Sequence, residues 1–284
     1  MKITSNKWDT KMTKMICKTL LAVAVSAVCA LGSNAAMAQS ALFPDFTVQI
    51  PGTTGTAGQF VADKMTGNYT EIINFAGNTF NVSLYWKAGA FVAADGTRQL
   101  DAGDTRLGVD YNLYALYNAS GTVSTSGTAT TFTFAPGTGS LVVYKDADRN
   151  TAFTAGDTGG FTSTGTDGDI VLANGTPLAG QGTLDPHLTT CGVGGGINCG
   201  SFGSTTSFVL TSAGSGFFVA PAPFYQFSFQ SGQLNNFSPT GRQVINGSLD
   251  VVFSNNVPEP ASIALLGLGL VGLGLSRRRN SKKA

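Results

Sequence analysis

Between residues 39 and 256 apolar side chains recur at alternate positions in short runs, and polar residues fill the gaps. Phe80, Val82, Leu84 and Trp86 share one face of an extended segment, while Asn81 and Ser83 point away. Tyr225, Phe227 and Phe229 oppose Gln226, Ser228 and Gln230, and Leu249, Val251 and Phe253 repeat the pattern. A period of two is the mark of half-buried β-strands. The same reading predicts strands over Glu71–Phe75, Tyr111–Tyr117, Thr130–Phe134, Ser140–Tyr144, Asp169–Leu172, Ser207–Thr211 and Gly216–Ala220. Gly, Ser, Thr and Asn crowd between the runs, no helical period persists, and no fixed-period repeat occurs. Long connections such as Leu178–Gly203 read as surface loops. About ten short strands at this spacing predict a single all-β domain, an antiparallel β-sandwich or jelly roll.

The two ends follow different rules. Lys2, Lys7, Lys11, Lys14 and Lys18 precede or open an apolar stretch over Leu20–Leu31, and Ala36-Met37-Ala38 stands before Gln39. A basic start, a short apolar run and a small-x-small site together predict a signal peptide over 1–38, cut by signal peptidase between Ala38 and Gln39. At the other end Val257-Pro258-Glu259-Pro260 leads into the uncharged run Ala261–Leu275, followed by Arg277, Arg278 and Arg279. Fifteen helical residues span only ~22 Å against a hydrocarbon core of ~30 Å. The run 261–275 is therefore expected to form a short hydrophobic helix that associates transiently with the inner membrane, its arginines on the cytoplasmic side. With both ends set aside, residues 39–256 hold seven basic against fourteen acidic side chains. That balance argues against a nucleic-acid partner, which needs a basic footprint, and suits a solvated exterior and divalent cations.

The combination Val257-Pro258-Glu259-Pro260, a glycine-rich apolar span and a terminal arginine cluster resembles the PEP-CTERM sorting signal. The resemblance implies a Gram-negative host, recognition by an exosortase and loss of the tail near Pro258–Pro260. The chain would then reach the outer cell surface or extracellular matrix. Within the domain, Phe46-Thr47-Val48, Ile50-Pro51-Gly52, Ala62–Glu71, the run Tyr111–Tyr117 and the turn Asp146–Asn150 look like the flocculation-associated PEP-CTERM family (PepA type). What this implies is a structural or adhesive role in flocs or biofilms, with extracellular polysaccharide or other matrix components as partners, and not an enzyme. No catalytic residues come with it.

The segment with most chemistry runs from Asp146 to Asp157. Asp146, Asp148, Asn150 and Asp157, with the Ala152 carbonyl, occupy relative positions 1, 3, 5, 12 and 7 of a calcium loop. Thr151 stands where glycine usually turns such a loop, and an Asx-rich turn needing no metal accounts for the same residues. No cofactor is required on this reading, and Ca²⁺ is the one candidate. Asp95, Asp101 and Asp104 form a second acidic turn, Asp167 and Asp169 a third, both read as solvated turns. Cys191 and Cys199, the two cysteines beyond the leader, are expected to form a disulfide across the glycine-rich stretch 192–198. A thiolate metal site would lack partners, since His187 is the single histidine. Nucleophile-elbow, phosphate-loop and dinucleotide patterns are missing. Two other functions compete with adhesion. A matrix carbohydrate-binding module would use Trp86, Tyr85 or Tyr225 as exposed platforms. A surface glycan hydrolase would need two facing carboxylates, drawn mainly from aspartates because Glu71 is the sole glutamate in 39–256.

Overall fold

The structure, a computed structural model, describes residues 43–157, 160–191, 198–231 and 234–254. The expected signal-peptide residues Ala36, Ala38 and Gln39, and the tail residues Val257 to Pro260 and Arg277 to Arg279, lie outside the described residues. So does the expected apolar helix over 261–275.

In chain order the strands are β1 (Phe46–Gln49), β2 (Gln59–Ala62), β3 (Lys64–Ala76), β4 (Thr79–Val92), β5 (Asn112–Ser126), β6 (Ala129–Phe134), β7 (Ser140–Asp146) and β8 (Ala152–Ala155). They continue as β9 (Phe161–Thr164), β10 (Ile170–Gly175), β11 (Pro177–Leu184), β12 (Gly200–Thr206), β13 (Val209–Leu210), β14 (Phe218–Ala220), β15 (Gln226–Ser231) and β16 (Arg242–Ser254). A single 3-10 turn (Thr56–Gly58) and two short α-helices, α1 (Ala102–Thr105) and α2 (Ser212–Phe217), interrupt them among the described residues. Every strand pairing is antiparallel. The predicted all-β antiparallel domain is therefore the one that forms.

Its principal sheet runs β13-β10-β7-β5-β4-β3-β16-β15-β12-β11-β6, and β6 pairs again with β5. That second pairing closes β5, β4, β3, β16, β15, β12, β11 and β6 into a ring. Strand β5 is long enough to serve two partners: Asn112–Asn118 bond β7, and Gly121–Ser126 bond β6. Closure leaves no open edge within the ring, and so removes the template for edge-to-edge aggregation. Strands β7, β10 and β13 branch away as a wing, and β14, β1 and β2 form a separate small sheet.

The alternation read from the sequence holds where side chains are large. Phe80, Val82, Leu84 and Trp86 all point into the core, Trp86 with no exposed surface and its Nε1–H donating to the Leu249 carbonyl at 3.4 Å. Beside it Tyr117 meets Phe229 at 5.5 Å between ring centres, and further along β4 Phe80 meets Phe134 at 5.2 Å. A second aromatic cluster joins the small sheet to the ring: Phe46 packs edge-on to Phe253 at 4.8 Å, and Phe218 against Phe224 at 5.1 Å. Each such ring pair contributes ~0.5–1.5 kcal/mol beyond the area it buries.

Two expectations are corrected. The stretch Leu178–Gly203, expected to be loop, contains most of β11 and β12. Gly180 and Gly182 on β11 are packed, not solvated: a Cβ on Gly180 would meet the Phe134 ring at 2.8 Å, and one on Gly182 would sit 3.1 Å from Phe202. The phenyl rings of neighbouring strands supply the apolar cover that these glycines lack. The strand expected over Gly216–Ala220 begins instead as α2, because the Thr211 hydroxyl accepts the Gly214 N–H at 3.0 Å and caps a helical turn.

Candidate functional site

The wing carries the densest chemistry. In the β5–β7 register Asn112 stands opposite Asp146, and in the β7–β10 register Lys145 stands opposite Ile170. These two pairings bring Asp169, the residue before β10, beside Asp146 at the end of β7. Asp146, Asp148 and Asp169 each offer a carboxylate oxygen within 4.8 Å of the others.

The loop after β7 is held by its own aspartate. Asp146 Oδ1 accepts the Arg149 N–H at 2.6 Å, and Oδ2 accepts the Thr151 N–H and the Asn112 amide, each at 3.3 Å. Arg149 adopts the left-handed conformation, φ 62°, that such a turn requires. Burial pushes the Asp146 carboxyl up, but the Asn112, Thr151 and Arg149 donors outweigh burial and hold it below the usual carboxylate range. At neutral pH it is therefore an anion. Asn150 donates to Asp148 Oδ2 at 2.7 Å. Asp169 Oδ2 accepts the Tyr114 hydroxyl at 2.6 Å and the Thr151 hydroxyl at 2.8 Å. Its other oxygen, Oδ1, is buried and has no hydrogen-bond partner among the described residues. Burial first, then the bond to Asp169, pushes the Tyr114 phenol far up, so it stays a donor at any physiological pH. Glycine is required at 165, where φ is +69° and a Cβ would lie 2.4 Å from the Asn150 carbonyl.

The donor set suits a hard divalent cation, all oxygen and mostly anionic. It is not the set that the spacing proposed. Asp146, Asp148 and Asn150 are together, but Asp157 lies at the far tip of the β8–β9 hairpin, where Gly156 N–H bonds the Gly160 carbonyl. Four strand residues carry it ~13 Å onward. Ala152 opens β8 opposite Thr164. Asp169, expected in a solvated turn, is half-buried and takes Asp157's place. Above the sheet, the hairpin lays Phe153 on Tyr85 at 4.5 Å and on Tyr114 at 5.3 Å.

Other expected residues fall out as follows. Cys191 and Cys199 are joined by a disulfide with Cα atoms 4.3 Å apart. Cys199 is buried and its N–H bonds the Leu234 carbonyl at 2.9 Å, so the bridge ties Cys191 to the residue that leads into β12. Trp86 is core and offers no platform to a sugar. Tyr225 is half-buried, its hydroxyl donating to the Asp45 carbonyl at 2.9 Å. Among the described residues no helix is long and apolar enough to cross a membrane.

The decisive comparison falls beyond the last strand. Residues 256–279 match the PEP-CTERM protein-sorting motif. The chain carries a PEP-CTERM sorting signal. Such a signal implies processing by exosortase, export, and a place on the surface of a Gram-negative cell. The match begins two residues after β16 ends at Ser254, so the PEP-CTERM signal follows the final ring strand almost directly. No curated protein and no solved structure matches the chain.

Proposed function

We propose that the chain is a non-catalytic adhesion protein of the outer surface or extracellular matrix, which promotes floc or biofilm formation once exosortase has removed its tail. The carrying observation is the PEP-CTERM sorting signal attached directly to a closed, net acidic β-barrel whose exterior is rich in Gly, Ser and Thr. Calcium at Asp146, Asp148 and Asp169 would neutralise the crowded carboxylates and pin the β8–β9 hairpin to the wing. The buried, unpartnered Oδ1 of Asp169 supports this. Deleting the gene and scoring aggregation tests the adhesive role, with restoration by the intact chain as the expected outcome. Unchanged flocs in the deletion strain, with the host polysaccharide intact, would remove it.

A second reading, binding of matrix polysaccharide, draws support from a shallow depression on the ring exterior lined by Asn68, Thr70, Tyr85, Lys87 and Asn246. Amides, a hydroxyl and an aromatic edge are groups that sugars use. Loss of polysaccharide retention in a folded Tyr85→Ala variant is the expected result on that reading; equal retention would eliminate it.

A further inference from the structure

Inside the barrel a carboxyl stands among phenylalanines. Glu71 is on β3 and Gly182 on β11; four steps around the eight-strand ring separate these strands, so they form opposite walls. Both residues line one cavity of about 20 Å³, together with Phe80, Phe132, Phe134, Phe202 and Phe237. Gly182 makes the room, since a Cβ there would stand 3.1 Å from the Phe202 Cβ and 3.3 Å from the Phe132 ring. Phe237 is half-buried and comes from the stretch without regular structure that precedes β16. Its ring stacks on Phe75 at 6.2 Å and on Phe132 at 5.9 Å.

Glu71 is buried, and no described residue hydrogen-bonds its carboxyl or places a cation beside it. Its ladder neighbours are Leu84 on β4 and Ile245 on β16. The titratable groups that feel its charge are the Tyr69 and Tyr117 phenols, which burial keeps protonated. A cavity of this size has room for one water-sized group. Water is a poor occupant, because a buried water makes about three hydrogen bonds and the rest of the lining is phenyl, aliphatic or glycine. A metal ion would lack its oxygen ligands for the same reason. A carboxyl ringed by phenyls suits an organic cation, which the carboxylate pairs and the aromatic rings attract. An ammonium head is about the size of water, whereas a guanidinium or trimethylammonium group is larger.

We propose that the barrel interior is a binding site for a primary alkylammonium ion, its head group held between Glu71 and the surrounding phenylalanines and its alkyl stem leaving past Phe237. Before the ion binds, burial raises the Glu71 carboxyl to about 8, so at pH 7 most chains carry it as the neutral acid. Taking up the ammonium ion at that pH releases the Glu71 proton to solvent. The pair that forms, carboxylate with ammonium, adds no net charge to the core. The amine keeps its own proton, since an alkylamine like that of lysine titrates near ~10.4. The site shares no residue with the wing cluster.

Calorimetric titration of the exported chain with n-butylamine from pH 6 to 9 tests this, with 1-butanol as an uncharged probe of the same length. One amine should bind per chain, its affinity rising about tenfold between pH 7 and pH 9 as Glu71 ionises. At pH 7 about one proton should be released per amine bound, read from the heats in two buffers of different ionisation enthalpy. At pH 9, 1-butanol should bind more weakly than the amine. Glu71→Gln keeps the shape of the side chain and should lose both the amine and the pH dependence, while Gly182→Ala should weaken binding by filling the space. Equal amine affinity in the parent and Glu71→Gln would overturn the site. So would 1-butanol binding as tightly as the amine, or no saturable heat in the parent. An affinity that falls as pH rises through 8 would make Glu71 a hydrogen-bond donor to an uncharged ligand and would overturn it as well. If Gly182→Ala does not fold, Glu71→Gln and the pH profile of the parent decide.

Discussion

Glu71 gives the sharpest test of the barrel's interior. It sits on the core face of β3 between Tyr69 and Ile73, 4% exposed, against a small cavity of about 20 Å³ lined by Phe80, Phe132, Phe134 and Phe202. Burial raises its carboxyl from 4.5 to about 8, so at neutral pH it is a neutral acid in the folded chain. In the unfolded chain it ionises near its ordinary value. Between those two values the folded state binds the extra proton, so this residue makes stability fall as pH rises. Its favourable state is fully present below about 4.5 and is lost progressively up to about 8, beyond which the effect levels off. At 1.36 kcal/mol per pH unit, the cost reaches ~3 kcal/mol at pH 7 and ~5 kcal/mol at the plateau. Glu71→Gln keeps the shape and cannot ionise. Denaturant unfolding of parent and variant from pH 4 to 9 should show near-equal stability at pH 4 and a widening advantage for the variant, ~3 kcal/mol by pH 7. Taking the difference cancels other carboxylates such as Asp146 and Asp110, whose depressed values act in the opposite sense. A stability difference that stays flat between pH 4.5 and 8 would mean that Glu71 is ionised in the fold, and would refute the reasoning.

Three further outcomes are expected. Asp169→Asn or Asp148→Ala should abolish part of the calcium-induced rise in melting temperature, a response worth ~1.4 kcal/mol at ten times the dissociation constant; a rise as large as the parent's would leave an ordinary Asx turn. Reducing the Cys191–Cys199 bridge, which closes a separation of 8 residues, should cost ~2.5 kcal/mol in chemical denaturation on the chain-entropy model, and no loss would show the loop already fixed by its backbone bonds. A chain ended at Asn256 should melt like the full-length exported form, whereas one ended at Thr240 loses β16 and should show no cooperative transition.

How much of this was legible depended on side-chain size. Strands whose core face carries large residues, such as Phe80 to Trp86 or Leu249 to Phe253, announce themselves by period two. Strands β11 and β12 do not, because Gly180 and Gly182 contribute no side chain to the core face of one, and Ser204 and Thr206 put polar residues on the core face of the other. The apolar cover over Gly180 and Gly182 is borrowed from Phe132, Phe134 and Phe202 on the neighbouring strands. Closure of the ring was equally hidden. It rests on β6 meeting both β5, its hairpin neighbour, and β11, where Gln181 pairs with Thr133. A sandwich and a closed barrel share the same local alternation and differ only in such distant pairings.

The candidate site divides along the same line between local and distant. Asp146, Asp148 and Asn150 were legible because alternate oxygen donors within one turn form a short-range pattern. Asp157 was enrolled by a template that assumes a helix leaving the loop, where each residue advances 1.5 Å. Here a β-strand leaves it, and at about 3.3 Å per residue the twelfth position is carried out of reach. The third carboxylate of the cluster is drawn from elsewhere in the chain. It comes from Asp169, which the β7–β10 register delivers to the end of β7 and which Tyr114, on β5, holds by its hydroxyl. The cluster is thus completed from the neighbouring strand, across the sheet and not along the chain. For the same reason, an aspartate joins this cluster through the strand end that stands beside it: Asp169 is placed there by pairing, whereas Asp157 has sequence spacing alone.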